Sequence, residues 1–589
     1  MARLKYNFTW KKCHRWLGLV LSVFMLVFCV SGIILNHREV FSGCEVSRKW
    51  LPASYHIKNF NNGVVKGTVV KNSGSLAISE GFSDSILVYG CAGVFLTDYQ
   101  LSTCQDFNAG LPKSIDERNV RHIVKAKDGS LWCAALRDVY RYDENARQWK
   151  KVELPGNEER IMDVALGKNS IQVVALTRSR IFEITPIASN IDVSESPSSL
   201  ASSAKGGVSE KSPDIFEKKS GGFSEKVGTF LGKYRVESKI IPAPKKYEPK
   251  TTLFKLVWHL HSGEFFGLPG KLVVDAIALV LIVLSITGII RFILPYGIRR
   301  AKKVKSEERR VKNSLAAKNR MKRLGKLFAW NMKWHNKIGY VTIVLTLWIA
   351  ITGMCLRPPL MVPLVLSKLP QAVGEDGNVW QDKLRAIRWD AVQGDWLVST
   401  SEGFLRVDED FSQAPKMLPD DECPKLSPMG VTVWESDGKG GWIVGSFRGI
   451  YRWNPVNHKS QILDYFTNEP CVETSMIPIS DNLICGYSED LFDREPMVFD
   501  FAKGVEDAKG QVINILDEKD AMSDLICETA PMSLWNVALE LHVGRCYSPF
   551  LGPLSDLFVF LSGLLITLVL LSGYIISHRR RKKAQARLK

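Results

Sequence analysis

Four stretches of this 589-residue chain are almost devoid of charge: residues 17 to 35, 272 to 290, 338 to 356 and 557 to 576 contain one charged residue between them, Asp275. Each is long enough to cross a bilayer as a helix. The chain also lacks any CxxC spacing, which removes a zinc ribbon or a thioredoxin-type site from consideration. It has no convincing GxGxxG segment, so it binds no dinucleotide or flavin through that turn. No small-residue cleavage site follows "SGIILNHREVF", so the first apolar run reads as a retained anchor rather than a signal peptide.

What is abundant is positive charge. The formal net charge of +17 is concentrated beside the apolar runs: Arg3, Lys5, Lys11, Lys12 and Arg15 before the first, "RRAKKVKSEERRVKNSLAAKNRMKRLGK" between the second and third, "HRRRKKAQARLK" after the last. Lys and Arg next to span ends stay in the cytoplasm, which puts both termini and the 293–334 loop inside and two large segments outside together. Because every basic cluster abuts a span, topology and anionic lipid account for it, and no nucleic-acid partner is expected. The expected layout is a cytoplasmic N-terminus (1–16), a first span (17–36), an outside β segment (37–187), a flexible Ser/Gly/Lys-rich linker (188–250), an interfacial histidine segment (251–271) and a second span (272–292). A basic loop (293–334), a third span (335–356), a second outside β segment (357–530), a second histidine segment (531–555), a fourth span (556–577) and a basic tail (578–589) follow. Of twelve cysteines, nine fall outside, and Cys91 with Cys104 is the best local disulfide candidate in an oxidising compartment.

The chain repeats itself. "KKCHRWLG" leads a span that closes on Ser31-Gly32, and 321 residues later His335, Gly339 and Thr352-Gly353 stand where His14, Gly18 and Ser31-Gly32 stood. "LFKLVWHLHSG" likewise aligns with "LWNVALELHVG", pairing His261 with His542 and Gly263 with Gly544, and Asp275 and Asp556 each follow their histidine by 14 residues. So long a period signals two duplicated halves, and the fold class expected is a four-helix transmembrane bundle carrying outside all-β insertions. "IVKAKDGSLWCAALRDVYRYDENARQWKKVEL" and "VTVWESDGKGGWIVGSFRGIYRWNPVNHKSQIL" read as propeller blades. About three blades fall in each half, which together make one propeller-like body or, alternatively, two small β domains.

At about 100° per residue, His14, Gly18 and Gly32 share one helix face, as do His335, Gly339 and Gly353. Small residues there permit close helix packing. Aligned with a histidine, they also suit a flat macrocycle whose iron the imidazole ligates, with zinc or copper as the rival metals. By topology, His14 pairs with His335 at the cytoplasmic ends and His261 with His542 at the outer ends. His37 and His578 are unduplicated alternatives that read as anchors, His259 faces Glu540 in the other half and is left out, and His56, His122 and His458 read as surface residues of the β segments. Asp275 and Asp556 are either functional intramembrane acids or helix N-caps.

"HRWLG" before a span closing on Ser-Gly, with "LHSGEFFGLPGKLVVD" before one closing on Thr-Gly, resembles the PepSY-associated transmembrane family of bacterial inner-membrane proteins. The resemblance covers the four spans and their histidine segments. It implies an inner-membrane, multi-pass reductase that holds b-type haem, with two groups expected, and reduces a ferric complex such as a siderophore on the periplasmic side. His14, His261, His335 and His542 match the family's recurring histidines and would be its haem-iron ligands, beside Gly18, Gly32, Gly339 and Gly353. Electrons would come from quinol or a separate donor protein. No PepSY domain is recognisable in the outside segments, where β sequence stands instead. A non-catalytic sensor or scaffold is the alternative function. A transporter fits less well, since the halves run in parallel and broken helices are not expected.

Overall fold

A computed structural model describes residues 10–587 apart from 72–84, 102, 187–228, 232–233, 308–314, 374–375, 428, 457–461, 472–481, 493–494, 514–525 and 527–529. His458 and most of the expected linker lie outside the described residues. The chain divides into two compact units: residues 1–56, 248–372 and 531–589 form one, and 57–247 with 373–530 form the other.

The first unit is helical. Its principal elements are α1 (Trp10–Asn36), α2 (Leu253–Ser262), α3 (Gly267–Glu307), α4 (Leu315–Val341), α5 (Ile343–Cys355), α6 (Leu534–Val543) and α7 (Ser555–Gln585). Among the described residues three helical stretches are long and apolar enough to cross a membrane, and a fourth is if α4 and α5 count as one span bent by 68°. That bend corrects the expectation of unbroken helices. At the bend Thr342 turns its hydroxyl onto the Ile338 carbonyl at 2.9 Å, and Thr346 turns its own onto Thr342 at 3.1 Å. Such back-bonding loosens and bends a helix.

The short helices α2 and α6 share one design. Thr252 and Ser533 cap their N-termini by accepting from Lys255 and Asn536 backbone N–H at 3.2 Å, and Gly263 and Gly544 end them at φ +80° and +88°. Only glycine takes that left-handed turn without strain. A side chain at Gly263 would also strike the Gly270 carbonyl oxygen, 2.3 Å from where its Cβ would stand. The chain therefore reverses directly after each Leu-His-x-Gly segment and enters the next span.

Among the described residues the second unit holds six small antiparallel sheets, spanning residues 67–106, 122–152, 161–239, 384–417, 433–464 and 484–506, three from each half of the chain. Successive sheets share an apolar cluster. Leu87 and Tyr89 of the first meet Ile123 and Cys133 of the second; Trp132 and Val139 meet Ile161 and Val164; Leu176 meets Trp396 and Leu405. The pattern continues with Phe404 against Trp434 and Trp453, and Ile443 against Val498. Ile86 and Val88 of the first sheet share a cluster with Met497 and Phe499 of the sixth. Both outside segments thus build one compact unit rather than two. Strands such as Ser85–Gly90 are buried on both faces, which is why their sequence runs apolar instead of alternating.

Three expectations are corrected. The span 188–250 is not linker throughout, because Tyr234–Lys239 pairs with Ile181–Pro186 in the third sheet and buries Val236. Cys91 and Cys104 are both free thiols, packed beside the same apolar cluster. His122 is not a surface residue: it is mostly buried, with Nδ1 2.8 Å from the Val164 carbonyl and 3.2 Å from Asp163.

Candidate functional site

Four histidines of the helical unit come together as two pairs. The rings of His14 (α1) and His335 (α4) have centroids 6.1 Å apart, and those of His261 (α2) and His542 (α6) 6.2 Å apart. These are the pairs read from topology.

Each imidazole is seated in the same way on a neighbouring helix. His14 rests on Ser572-Gly573 of α7, His335 on Thr287-Gly288 of α3, His261 on Thr352-Gly353 of α5 and His542 on Ser31-Gly32 of α1. Nδ1 lies 3.1, 2.8, 3.0 and 2.9 Å respectively from the Ser or Thr hydroxyl. Every one of those hydroxyls already donates its hydrogen to a carbonyl in its own helix, at 2.7 Å (Ser572 to Val569), 2.6 Å (Thr287 to Val283), 2.8 Å (Thr352 to Trp348) and 2.7 Å (Ser31 to Val27). A hydroxyl has one hydrogen, so it can only accept from the ring, and Nδ1 must carry the proton. The carbonyls of Val569 and Phe28, 3.0 and 3.1 Å from Nδ1 of His14 and His542, demand the same tautomer. A neutral imidazole protonated at Nδ1 keeps its lone pair on Nε2. No described residue bonds Nε2 in any of the four.

The glycines make this seat possible. A Cβ at Gly573 or Gly353 would stand 2.8 Å from Cε1 of His14 or His261, and one at Gly32 or Gly288 would stand 3.4 or 3.6 Å from His542 or His335. Gly18 and Gly339 face Val569 and Leu284 instead, at ordinary helix-packing distance. Sequence reasoning placed Gly32 and Gly353 at the site but took Thr287-Gly288 and Ser572-Gly573 only as the pairs that close their spans, and it read the hydroxyl residues only as small packing residues. It also missed Asn331, which is buried one turn before His335 and donates to the Thr287 carbonyl at 2.9 Å, pinning α4 to α3. If the hydroxyls hold the rings, Thr287→Val should let the His335 ring rotate, broaden the signals of any group bound there, and weaken metal or cofactor retention about 10- to 100-fold, as when a ligating histidine loses the partner that orients it. Titration of the purified variant against wild type measures this.

The remaining candidates separate. His37 donates to or pairs with Asp275 at 2.7 Å, and Asn36 donates to the other oxygen at 3.0 Å. Asp275 lies well inside α3, so it is no N-cap. Asp556 does sit in the first turn of α7 and faces Arg357 at 3.3 Å. His578 stacks on Tyr574 and Tyr340, His259 lies beside Trp258, and His56 bonds the Leu51 carbonyl at 3.0 Å. Among the described residues no cluster of three or more His, Cys, Asp or Glu is placed to hold a bare metal ion.

No curated protein matches the chain. Among solved structures it is similar to the extracellular domains of a one-component and a hybrid two-component system, both BT4673 of B. thetaiotaomicron, at 10% and 9% identity and TM-score 0.29. The match covers 76% of this chain but 39% of theirs. The PepSY-associated TM region matches residues 5–294 and 301–581, nearly the whole length, with all four histidines and their seats inside the matched segments. The protein is therefore a membrane protein of the PepSY-associated transmembrane family.

Proposed function

We propose that the helical unit holds two b-type haems, one between His14 and His335 and one between His261 and His542, and passes electrons across the inner membrane to a periplasmic acceptor such as a ferric complex. The observation that carries this reading is the paired seating of four Nδ1-protonated imidazoles. Bonds of about 2 Å from one metal to two imidazole nitrogens in line put the ring centres roughly 6 Å apart, as found at 6.1 and 6.2 Å. Two corners of a tetrahedral zinc site would draw them to about 5 Å, and zinc would need further ligands that the described residues do not offer.

Bound haem would supply one-electron chemistry at each pair. The chain's own contribution is to fix the rings and the tautomer, through Ser31, Thr287, Thr352 and Ser572, and to surround them with apolar side chains. His14 and Gly32, the α1 members of the two sites, are 18 residues apart, about 27 Å along the helix. The pairs therefore lie towards opposite ends of the bundle, the inner one at the basic, cytoplasmic end. Quinol or a separate protein would deliver electrons there.

The two halves are read as a duplication in which each histidine-led span receives the histidine of another element. The six sheets, with the sixth sharing a core with the first, are read as a six-bladed propeller on the periplasmic side, the surface that would meet the acceptor. Purification in detergent tests the proposal directly. A Soret band, sharp α-bands on dithionite reduction and about two haems per chain by pyridine haemochrome are expected, and a colourless protein overturns it.

A further inference from the structure

Three arginines stand at the inner histidine pair's end of α1, α3 and α7, and no carboxylate among the described residues pairs with them. Arg15 follows His14 on α1, and its guanidinium carbon lies 5.1 Å over the ring of Phe292. That places it beside Arg291 on α3, one turn beyond the Gly288 on which His335 rests. Arg580 lies two turns beyond Gly573, the seat of His14, on α7. Arg291 is within electrostatic reach of Arg15, of Arg580 and of both histidines. None of the three has an ion-pair partner among the described residues.

The sequence deepens the imbalance. Residues 1–36, 276–306, 315–356 and 557–589 contain no Asp or Glu at all, and Glu307, the acid that ends α3, stands 16 residues beyond Arg291, about 24 Å along the helix. Positive-inside anchoring accounts for exposed cations such as Arg15 and Arg580. It does not account for Arg291, which is half-buried and within electrostatic reach of both histidines. Converging guanidinium groups in a partly apolar setting are suited to bidentate capture of carboxylate or phosphate.

We propose that Arg15, Arg291 and Arg580 form an anion clamp that holds the propionate carboxylates of the inner haem, with Arg291 as its central member. This rests on the haem reading above. The outer pair is built differently: the arginines near it, Arg357 and Arg545, are already paired with Asp556 and Glu540, so the clamp distinguishes the inner site.

The test is Arg291→Gln, Arg291→Lys and Arg580→Gln in the full chain, purified in detergent. Arg291→Gln should lower total haem towards the level of a His14→Ala variant and move the midpoint potential of any remaining inner haem negative, because a cation beside the iron favours the reduced state. The outer haem should titrate as in wild type. Arg291→Lys should recover most of the haem, and Arg580→Gln, at an exposed position, should shift the inner midpoint in the same direction by less while the protein remains folded. Phosphate analysis of co-purified lipid separates the other source of the same chemistry. Unchanged haem content and midpoint with reduced anionic phospholipid would assign the clamp to a lipid headgroup and overturn the proposal, and no change in either would reduce it to anchoring. A colourless wild type overturns the haem reading itself, and the clamp with it.

Discussion

Replacing His14 with alanine should remove one of the two proposed haems, and replacing His335 should remove the same one. The ring centroids lie 6.1 Å apart, edge to face, so on the proposed reading the two imidazoles would hold one haem iron together, and either one alone would not hold it in the same way. His261→Ala and His542→Ala should likewise resemble one another, by the 6.2 Å contact between those rings. The two classes should differ in which midpoint disappears from a redox titration. In each case haem per chain should fall by about half, read as pyridine haemochrome, and the lost α-band should be common to the two members of a pair. Alanine at His37, His259 or His578 should leave the content at wild-type level, since these rings are engaged by Asp275, Trp258 and Tyr574. Retention of both haems in the His14 and His261 variants would return the histidines to a structural role. So would a His14 variant that loses a different haem from the His335 variant.

Much of that site was legible in the sequence because membrane helices are read by period. A histidine, a small residue one turn on and a small-Gly pair five turns on keep one face of a helix, and the repetition of the pattern after 321 residues made the pairing readable from topology alone. The seats were less legible. Each joins a histidine to a Ser/Thr-Gly pair on a different helix, 48 residues away for His335 and 558 for His14, and no local pattern reports which pair receives which ring. The role of the hydroxyl follows only when its own hydrogen is seen to be spent on a carbonyl of its helix.

The β unit failed differently. Blade-like rhythm gave three sheets per half, but strands such as Ser85–Gly90 and Val173–Thr177, buried on both faces, carry no alternation to mark which side chains meet which neighbour. Tyr234–Lys239 was lost to linker because its charged, alternating residues follow a long Ser/Gly-rich tract. His122 was lost because its partners Asp163 and Arg388 arrive from two other sheets, 41 and 266 residues away in the chain.

That buried cluster yields the other large effect: Asp163→Asn should destabilise the β unit by about 3–5 kcal/mol, the usual cost of breaking a buried ion pair from one side. A register shift between Ile161 and Asp163 turns the carboxylate inward, where it is 4% exposed. Oδ1 accepts from the Val164 N–H at 2.9 Å and lies 3.2 Å from His122 Nδ1, while Oδ2 accepts from the Ile387 N–H at 3.0 Å and from Arg388 at 2.6 Å. One carboxylate thus ties the second, third and fourth sheets together. Asparagine keeps the shape but leaves the Arg388 guanidinium buried without its counter-charge and must present an N–H₂ to groups that are themselves donors. In the intact protein, the melting transition followed through tryptophan fluorescence should fall by roughly 5–15 °C. The pH dependence has a definite sign. Burial pushes the Asp163 carboxyl up, but Arg388 and His122 outweigh it and hold it below the ordinary carboxylate range. A depressed native value means the stabilisation is present above the unfolded-state value of about 3.9 and is lost as pH falls through the native one. The gap between wild type and Asp163→Asn should therefore be constant from neutral pH down to about 4 and close only under stronger acid. A gap already closing near neutral pH would show that the carboxylate is not the group holding these sheets.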